Sequence, residues 1–129
     1  MGTGSGFGIV FRASVTNDRI TGYSFDMDPV AGGGGYLVRL WDGSRQHWRP
    51  LAHAPVTDPA RLYGHHVARI TLVGDQLSVQ IDADPVLEVA ALSRATLEAG
   101  REPCRGERVG IQAWATTEVT VESFRVAQL

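Results

Sequence analysis

The sequence predicts an all-β fold of about eight to ten strands, spaced as in a sandwich or a barrel, with one short helix. Apolar and polar residues alternate with a period of two along most of the apolar segments, which is typical of strands with one buried face. Gly, Asp and Pro separate these segments at short intervals. The length of 129 residues suits one domain, so we expect residues 1–129 to form a single domain after a flexible lead-in at 1–6.

The clearest alternation lies in residues 22–28, where Tyr, Phe and Met side chains oppose Ser and Asp side chains. Residues 8–13 and 36–41 follow the same period of two, so all three segments are predicted strands. The glycine-rich segment at 31–35 separates the second strand from the third. It is too flexible for regular structure and is predicted to be a loop.

The second half of the chain is predicted to contain more strands and the helix. The predicted strands are 48–52, 66–73, 76–81, 85–89, 109–114 and 119–126. Pro50 interrupts the first of these strands. Residues 93–99 are the helix candidate, because Ser93 can cap the helix at its start and Gly100 can end it.

Composition and charge exclude several classes of protein. Hydrophobic residues make up 43% of the chain and charged residues 20%, which indicates a globular domain. The net charge is −2 and the basic residues are scattered, so we expect no partner among nucleic acids and no anionic membrane. No stretch is apolar enough to span a membrane. Residues 1–6 lack the charged and apolar regions of a signal peptide.

The single cysteine, Cys104, excludes an internal disulfide. Its loop-like context favours an ordinary thiol over a catalytic nucleophile, which would need a nearby base. Metal ligands are also sparse: His65 and His66 are adjacent and would point to opposite faces of a strand. We therefore expect no cofactor. Calcium is the alternative, with Asp58, Asp82 and Asp84 in loop-like places, but they form no recognised ligand series.

Seven segments in order resemble a known family. They are residues 6–14, 22–25, 35–41, 66–70, 73–79, 85–89 and 108–114. Together they resemble the concanavalin-A-like jelly-roll domains of bacterial polysaccharide-processing enzymes, including levan-binding modules and domains described as laminin-G-like or as 3-keto-disaccharide hydrolases. The resemblance covers roughly residues 6–126. It implies an antiparallel two-sheet jelly-roll sandwich, a secreted, extracellular location and a carbohydrate ligand, whereas the fold alone does not determine an activity.

In a bent sandwich, one sheet face can hold a sugar by aromatic stacking and by planar hydrogen-bonding side chains. The candidate ligand-binding residues, on the outward positions of the predicted strands, are Arg12, Asp26, Arg39, Trp41, Gln112 and Trp114. We expect Arg12, Asp26 and Arg39 to lie within reach of one another on one face, because neighbouring strands bring such positions together. The alternatives are a solvated ion ladder for the charged residues and a core position for the tryptophans.

Domains of this family begin with a strand or two before the segment that matches residues 6–14. We therefore expect a sheet edge at 8–13 that must be covered, since apolar edge strands expose unpaired backbone groups. The alternating segment 119–126 is the expected cover. Pairing with another copy is the second possibility, so the chain is predicted to be a monomer or a weak homodimer.

Three functions are compatible with these observations. A carbohydrate-binding module of a larger secreted protein, with a polysaccharide or oligosaccharide as its partner, ranks first. A glycoside-active enzyme using Asp26 or Asp28 ranks second, because the Glu-x-Asp-x-Glu pattern of family 16 glycoside hydrolases is absent and Pro29 follows Asp28. A structural or interaction domain without a ligand ranks third. We therefore expect no catalytic residues.

Overall fold

The structure is a computed structural model that describes residues 7–28, 35–43, 47–56, 65–113, 121 and 123–127. Within these residues, eight strands form two antiparallel sheets, of five and three strands, and one short helix follows the seventh strand. Side chains from both sheets share one hydrophobic core. The prediction of an all-β, two-sheet sandwich with a short helix is therefore confirmed.

The elements, in chain order, are β1 (Phe7–Thr16), β2 (Arg19–Asp28), β3 (Gly35–Asp42), β4 (His47–Pro55), β5 (Ala68–Val73), β6 (Gln76–Ile81), β7 (Asp84–Val89), α1 (Leu92–Glu98) and β8 (Arg108–Ala113). The five-stranded sheet has the order β4-β3-β2-β1-β8, and the three-stranded sheet has the order β5-β6-β7. The second sheet is a simple meander, as expected from the turn residues between its strands.

The core lies between the two sheets and follows the alternation of β2. Tyr23 and Phe25 are each only 1% exposed, and they face Leu77 and Val79 of the three-stranded sheet across the core. Tyr23 also stacks on Phe11 of β1, with ring centroids 5.7 Å apart. The period of two that predicts these strands thus identifies the buried face correctly.

A chain of hydrogen bonds joins helix α1 to this core. The Cys104 backbone N–H donates to the Tyr23 hydroxyl (3.1 Å), which lies 2.8 Å from Thr96 Oγ1. Thr96 Oγ1 in turn donates to the Leu92 carbonyl (2.7 Å), so the tyrosine hydroxyl is the donor to Thr96. Because Tyr23 and Thr96 are buried, satisfying these polar groups is necessary for packing α1 against the sheet.

Two local features differ from the sequence prediction. The first two strands are longer than expected and meet in a two-residue turn, where Asn17 and Asp18 both have positive φ (53° and 62°). Asn and Asp tolerate this left-handed conformation, so the hairpin forms without glycine. Strand β4 continues through Pro50, with a register shift against β3 beside it. Because β4 lies at the edge of the sheet, it tolerates Pro50, which has no backbone N–H to donate.

The helix also begins differently from the prediction. It spans residues 92–98, and its N-cap is Ala91, which makes no side-chain cap. Asp75 performs that role from the β5–β6 turn: its carboxylate accepts hydrogen bonds from the Ser93 backbone N–H (2.8 Å) and from Ser93 Oγ (2.6 Å). Ser93 is therefore a donor to the cap rather than the cap itself, which corrects the sequence prediction.

The predicted cover of the first strand is wrong. Strand β1 lies inside the sheet, between β2 and β8, so its edge is covered by residues 108–113 rather than by 119–126. Residues 121 and 123–127 form no strand. The connection after α1 returns the chain to β1, where Gly106 packs directly against the Ala13 backbone. The pairing of β8 with β1 follows this close approach.

Candidate functional site

Polar side chains gather on the face of the five-stranded sheet that points away from the shared core. We call Ser24, Asp26, Asp28, Arg39 and Trp41 the polar cluster. The first three alternate with the core residues of β2, and the last two lie on β3, where Arg39 pairs in register with Ser24. Period-two alternation and antiparallel register therefore bring together three of the residues predicted to bind a ligand.

One guanidinium joins the two carboxylates of the cluster. Arg39 Nη1 donates to Asp26 Oδ2 (2.8 Å) and Arg39 Nη2 donates to Asp28 Oδ2 (2.9 Å). Ser24 Oγ donates to Asp26 Oδ2 (2.9 Å), and Trp41 Nε1 donates to Ser24 Oγ (2.8 Å). The tryptophan is half-buried and its indole nitrogen is engaged within the cluster.

The cluster is closed rather than open to a ligand. The Asp26 side chain is 0% exposed, the Arg39 side chain 5% and the Asp28 side chain 14%. Burial raises the pKa of Asp26 to about 6, and the Arg39 charge opposes this shift. A fully buried carboxylate bonded to an arginine and a serine cannot touch a substrate, so Asp26 is not placed to act as a catalytic group.

The second oxygen of Asp26 packs closely against a neighbouring strand. Asp26 Oδ1 has no hydrogen-bond partner among the described residues, and it lies directly against the Cα of Gly8 on the neighbouring strand β1. A Cβ at position 8 would collide with this oxygen. Glycine is thus required at this position because a buried carboxylate occupies the space of a side chain.

Arg12 does not join the polar cluster, so the prediction that Arg12, Asp26 and Arg39 come together is wrong. The register of β1 shifts between Phe11 and Ser14, and Arg12 within this bulge has a φ of 46°. A bulge re-aims the side chains that follow it. The Arg12 guanidinium consequently lies on the other side of the sheet, where its Nη2 donates to the Gly74 carbonyl (2.6 Å) of the β5–β6 turn.

The bulge directs Arg12 into a cleft of about 400 Å³ at one end of the sandwich. The residues that line this cleft are Arg12, Gly74, Asp75, Ser93, Pro103, Cys104, Arg105 and Gly106. They come from β1, from the β5–β6 turn, from α1 and from the connection between α1 and β8. Four separate chain segments thus meet around one polar space.

Close packing and hydrogen bonds hold the walls of the cleft. The contact of Gly106 with the Ala13 backbone fixes the wall formed by residues 103–106. The bonds from Ser93 to Asp75 fix the opposite wall, and they lower the pKa of Asp75, which keeps its carboxylate charged. The cleft therefore presents a preformed arrangement of charged and polar groups.

Cys104 lines the cleft but is buried, and burial raises the pKa of its thiol. A protonated thiol is a poor nucleophile. Its backbone N–H is engaged with Tyr23, as described above. These observations favour the ordinary structural thiol over the catalytic one.

Several other predicted residues cannot be placed with the cluster or the cleft. Trp114 lies outside the described residues, and only the backbone of Gln112 is described, in β8. Among the described residues, no three His, Cys, Asp or Glu side chains group as a metal site requires. Asp82, a calcium candidate, is instead bonded to His66 Nδ1 (2.6 Å) and to the Val67 backbone N–H (2.9 Å). No helix within the described ranges is long and apolar enough to cross a bilayer.

Comparison of the chain with protein-family models, with curated proteins and with solved structures found no match. Sequence reasoning missed three residues of the cleft: Asp75, Ser93 and Arg105. The Gly74-Asp75 pair signals only a turn in the sequence, and nothing in the sequence links that turn to the helix start or to Arg105.

We expect Gly8→Ala to destabilise the fold by about 2–3 kcal/mol, because the new methyl group must displace a buried carboxylate or shift the β1 backbone. Gly110→Ala on the adjacent strand β8 is the matched control, since a Cβ there meets no atom within 4 Å, and it should change stability by less than about 0.5 kcal/mol. Urea unfolding measures both values. Equal effects of the two substitutions would contradict the packing of Asp26 against Gly8.

We expect the raised pKa of Asp26 to make stability fall as pH rises from about 4 to about 6. In this interval the folded chain retains a proton on Asp26 that the unfolded chain, with a pKa near 3.8, has released. The free energy of unfolding therefore decreases by on the order of 3 kcal/mol across the interval, and Asp26 causes no further change at higher pH. Urea unfolding of the wild type and of Asp26→Asn across this range measures the difference.

The Asp26→Asn variant should lack this decrease, so its stability relative to the wild type should rise between pH 4 and pH 7. The exposed turn variant Asp18→Asn is the control for the loss of one carboxylate, and it should keep the decrease that the wild type shows. Parallel profiles for Asp26→Asn and the wild type would show that Asp26 does not titrate in this range.

Proposed function

We propose that this chain is a carbohydrate-binding domain without catalytic activity, built on a jelly-roll sandwich of the concanavalin-A-like kind, and that it binds its saccharide in the cleft. The observation that carries the proposal is the conformation of Arg12. A non-glycine residue with positive φ costs free energy, and such residues collect at functional sites. The backbone conformation of Arg12 turns its guanidinium away from the outer face of the sheet and into the preformed polar cleft.

The chemistry of the cleft supports a sugar as its ligand. Arg12 supplies several N–H donors in one plane, Asp75 supplies a charged acceptor and Ser93 a hydroxyl, which together suit the adjacent hydroxyl groups of a sugar ring. A volume of about 400 Å³ falls within the range of ordinary small-molecule sites. Hydrogen bonds to Gly74 and Ser93 hold these groups in place, which reduces the entropy lost on binding.

Binding is favoured over catalysis because of where the carboxylates lie. The enzymatic alternative assigns the chemistry to Asp26 or Asp28 together with Arg12 or Arg39. Both carboxylates are instead joined to Arg39 on the sheet face away from Arg12, and Asp26 is fully buried. The family resemblance adds the context of a secreted bacterial protein that processes polysaccharides, and an extended glycan is then the natural partner.

Native electrophoresis through gels that contain plant or bacterial polysaccharides tests this proposal. We expect at least one polymer to retard the wild-type chain, and Arg12→Gln to reduce that retardation at least about tenfold, since it removes the charge and most of the donors. Arg69→Gln, an exposed substitution on β5, is the matched control and should leave retardation unchanged. Circular dichroism and thermal unfolding verify that both variants are folded.

Three other outcomes would contradict or change the proposal. Retardation by no polymer would contradict the proposal and favour an interaction domain. Retardation that Arg12→Gln does not alter would move the ligand away from the cleft. Release of reducing sugar from a retained polymer would establish the enzymatic alternative.

A further inference from the structure

We infer that the saccharide bound in the cleft is acidic, with carboxylate or sulfate groups on its rings. This inference rests on the proposed function and adds the chemical class of the ligand. It follows from the charges that line the cleft. Two arginines, Arg12 and Arg105, face one carboxylate, Asp75, so these three groups together carry a charge of +1.

The carboxylate of Asp75 does not neutralise the arginines by direct pairing. Both of its oxygens accept hydrogen bonds from the Ser93 backbone N–H, and Oδ1 also accepts one from Ser93 Oγ. Within the described part of the chain, neither Arg12 nor Arg105 forms an ion pair with a carboxylate. Two guanidinium groups thus face the same space as one carboxylate, and neither forms a salt bridge with it.

Arg12 and Arg105 suit a carboxylate or sulfate group in different ways. Arg12 is held in one orientation by its bond to the Gly74 carbonyl, and its remaining N–H groups are free to point into the cleft. Arg105 is exposed and makes no hydrogen bond with a described residue, so it can close on a bound anion. Guanidinium matches carboxylate and sulfate oxygens through paired N–H donors, and these charge-assisted bonds are stronger than bonds to neutral hydroxyls.

The rest of the chain opposes binding of acidic polymers. The net charge is −2, so a polyanion gains nothing from the overall charge of the protein and must be bound by a local positive site. Attraction to an acidic saccharide would therefore report on a local positive site, and substitution of Arg105 tests whether that site is the cleft. A neutral saccharide, by contrast, would leave the excess positive charge of the cleft uncompensated.

Isothermal titration calorimetry with the full chain tests the inference on two matched ligands, an oligogalacturonate and its fully methyl-esterified form. We expect the acidic oligomer to bind at least about tenfold more tightly, because esterification removes the negative charges and leaves the sugar rings and their hydroxyl groups unchanged. Arg105→Gln should weaken binding of the acidic oligomer about fivefold or more and weaken binding of the ester by a smaller factor. Arg105→Lys, which keeps the charge, should restore part of the loss, and Arg69→Gln should have no effect. A dextran sulfate and dextran pair repeats the comparison for sulfate.

Each alternative result has a distinct meaning. Equal binding of the acid and ester forms, together with equal binding of dextran sulfate and dextran, would overturn the inference and leave the proposed function standing. A neutral polysaccharide that is retained in an Arg12-dependent way, while both acidic probes fail to bind, would do the same. Failure of every saccharide, neutral or acidic, would overturn the proposed function together with the inference. Preference for sulfate over carboxylate, or the reverse, identifies which acidic group the cleft takes.

Discussion

The fold depends on one buried guanidinium, that of Arg39, which lies between the carboxylates of Asp26 and Asp28. A charge removed from water is tolerated only when it is paired and hydrogen-bonded, so the three strands that carry and surround these groups must keep one register. A slip of one residue between β2 and β3 would move Arg39 to the core face and leave Asp26 without its partner. Gly8 extends the same constraint to β1, because only glycine leaves space for Asp26 Oδ1.

Two polar sites with different contacts lie on the two sides of the same sheet. The side chains of the polar cluster bond to one another and are largely closed to solvent, whereas Arg12 in the cleft bonds to a backbone carbonyl and forms no salt bridge with a described carboxylate. Strand β1 takes part in both sites: Gly8 packs on the cluster, and the bulge that follows Phe11 directs Arg12 into the cleft. A single irregularity in one strand thus assigns two arginines, Arg39 and Arg12, to different roles.

Sequence alternation was sufficient to predict much of the sandwich. The pattern of residues 22–28 predicted both faces of β2, and register then brought Asp26 and Arg39 together as expected. The position of Arg12 could not be predicted, because a bulge reverses the phase of alternation and no glycine or proline marks it. The cover of β1 was also missed, since residues 108–113 and 119–126 have the same strand pattern and only the return of the chain after α1 selects the first.

The cleft could not be predicted from the sequence for a related reason. Its lining residues belong to segments that are far apart in the chain, and their contacts depend on how α1 packs. That packing depends in turn on the hydrogen bonds of Tyr23 and Asp75, which join residues 73 and 18 positions apart. Local patterns carry information about strands and turns, whereas a site assembled by tertiary contacts has no local pattern.

We propose that a saccharide binds in the cleft and not on the polar cluster. Amide chemical shifts in a ¹⁵N-labelled chain, followed during titration with oligomers of a polysaccharide that retards it in the gel, measure this most directly. We expect shifts at Gly74, Ser93 and Gly106, with Gly8, Ser24 and Leu37 unchanged. Shifts confined to Gly8, Ser24 and Leu37, with the cleft amides unchanged, would contradict the proposal.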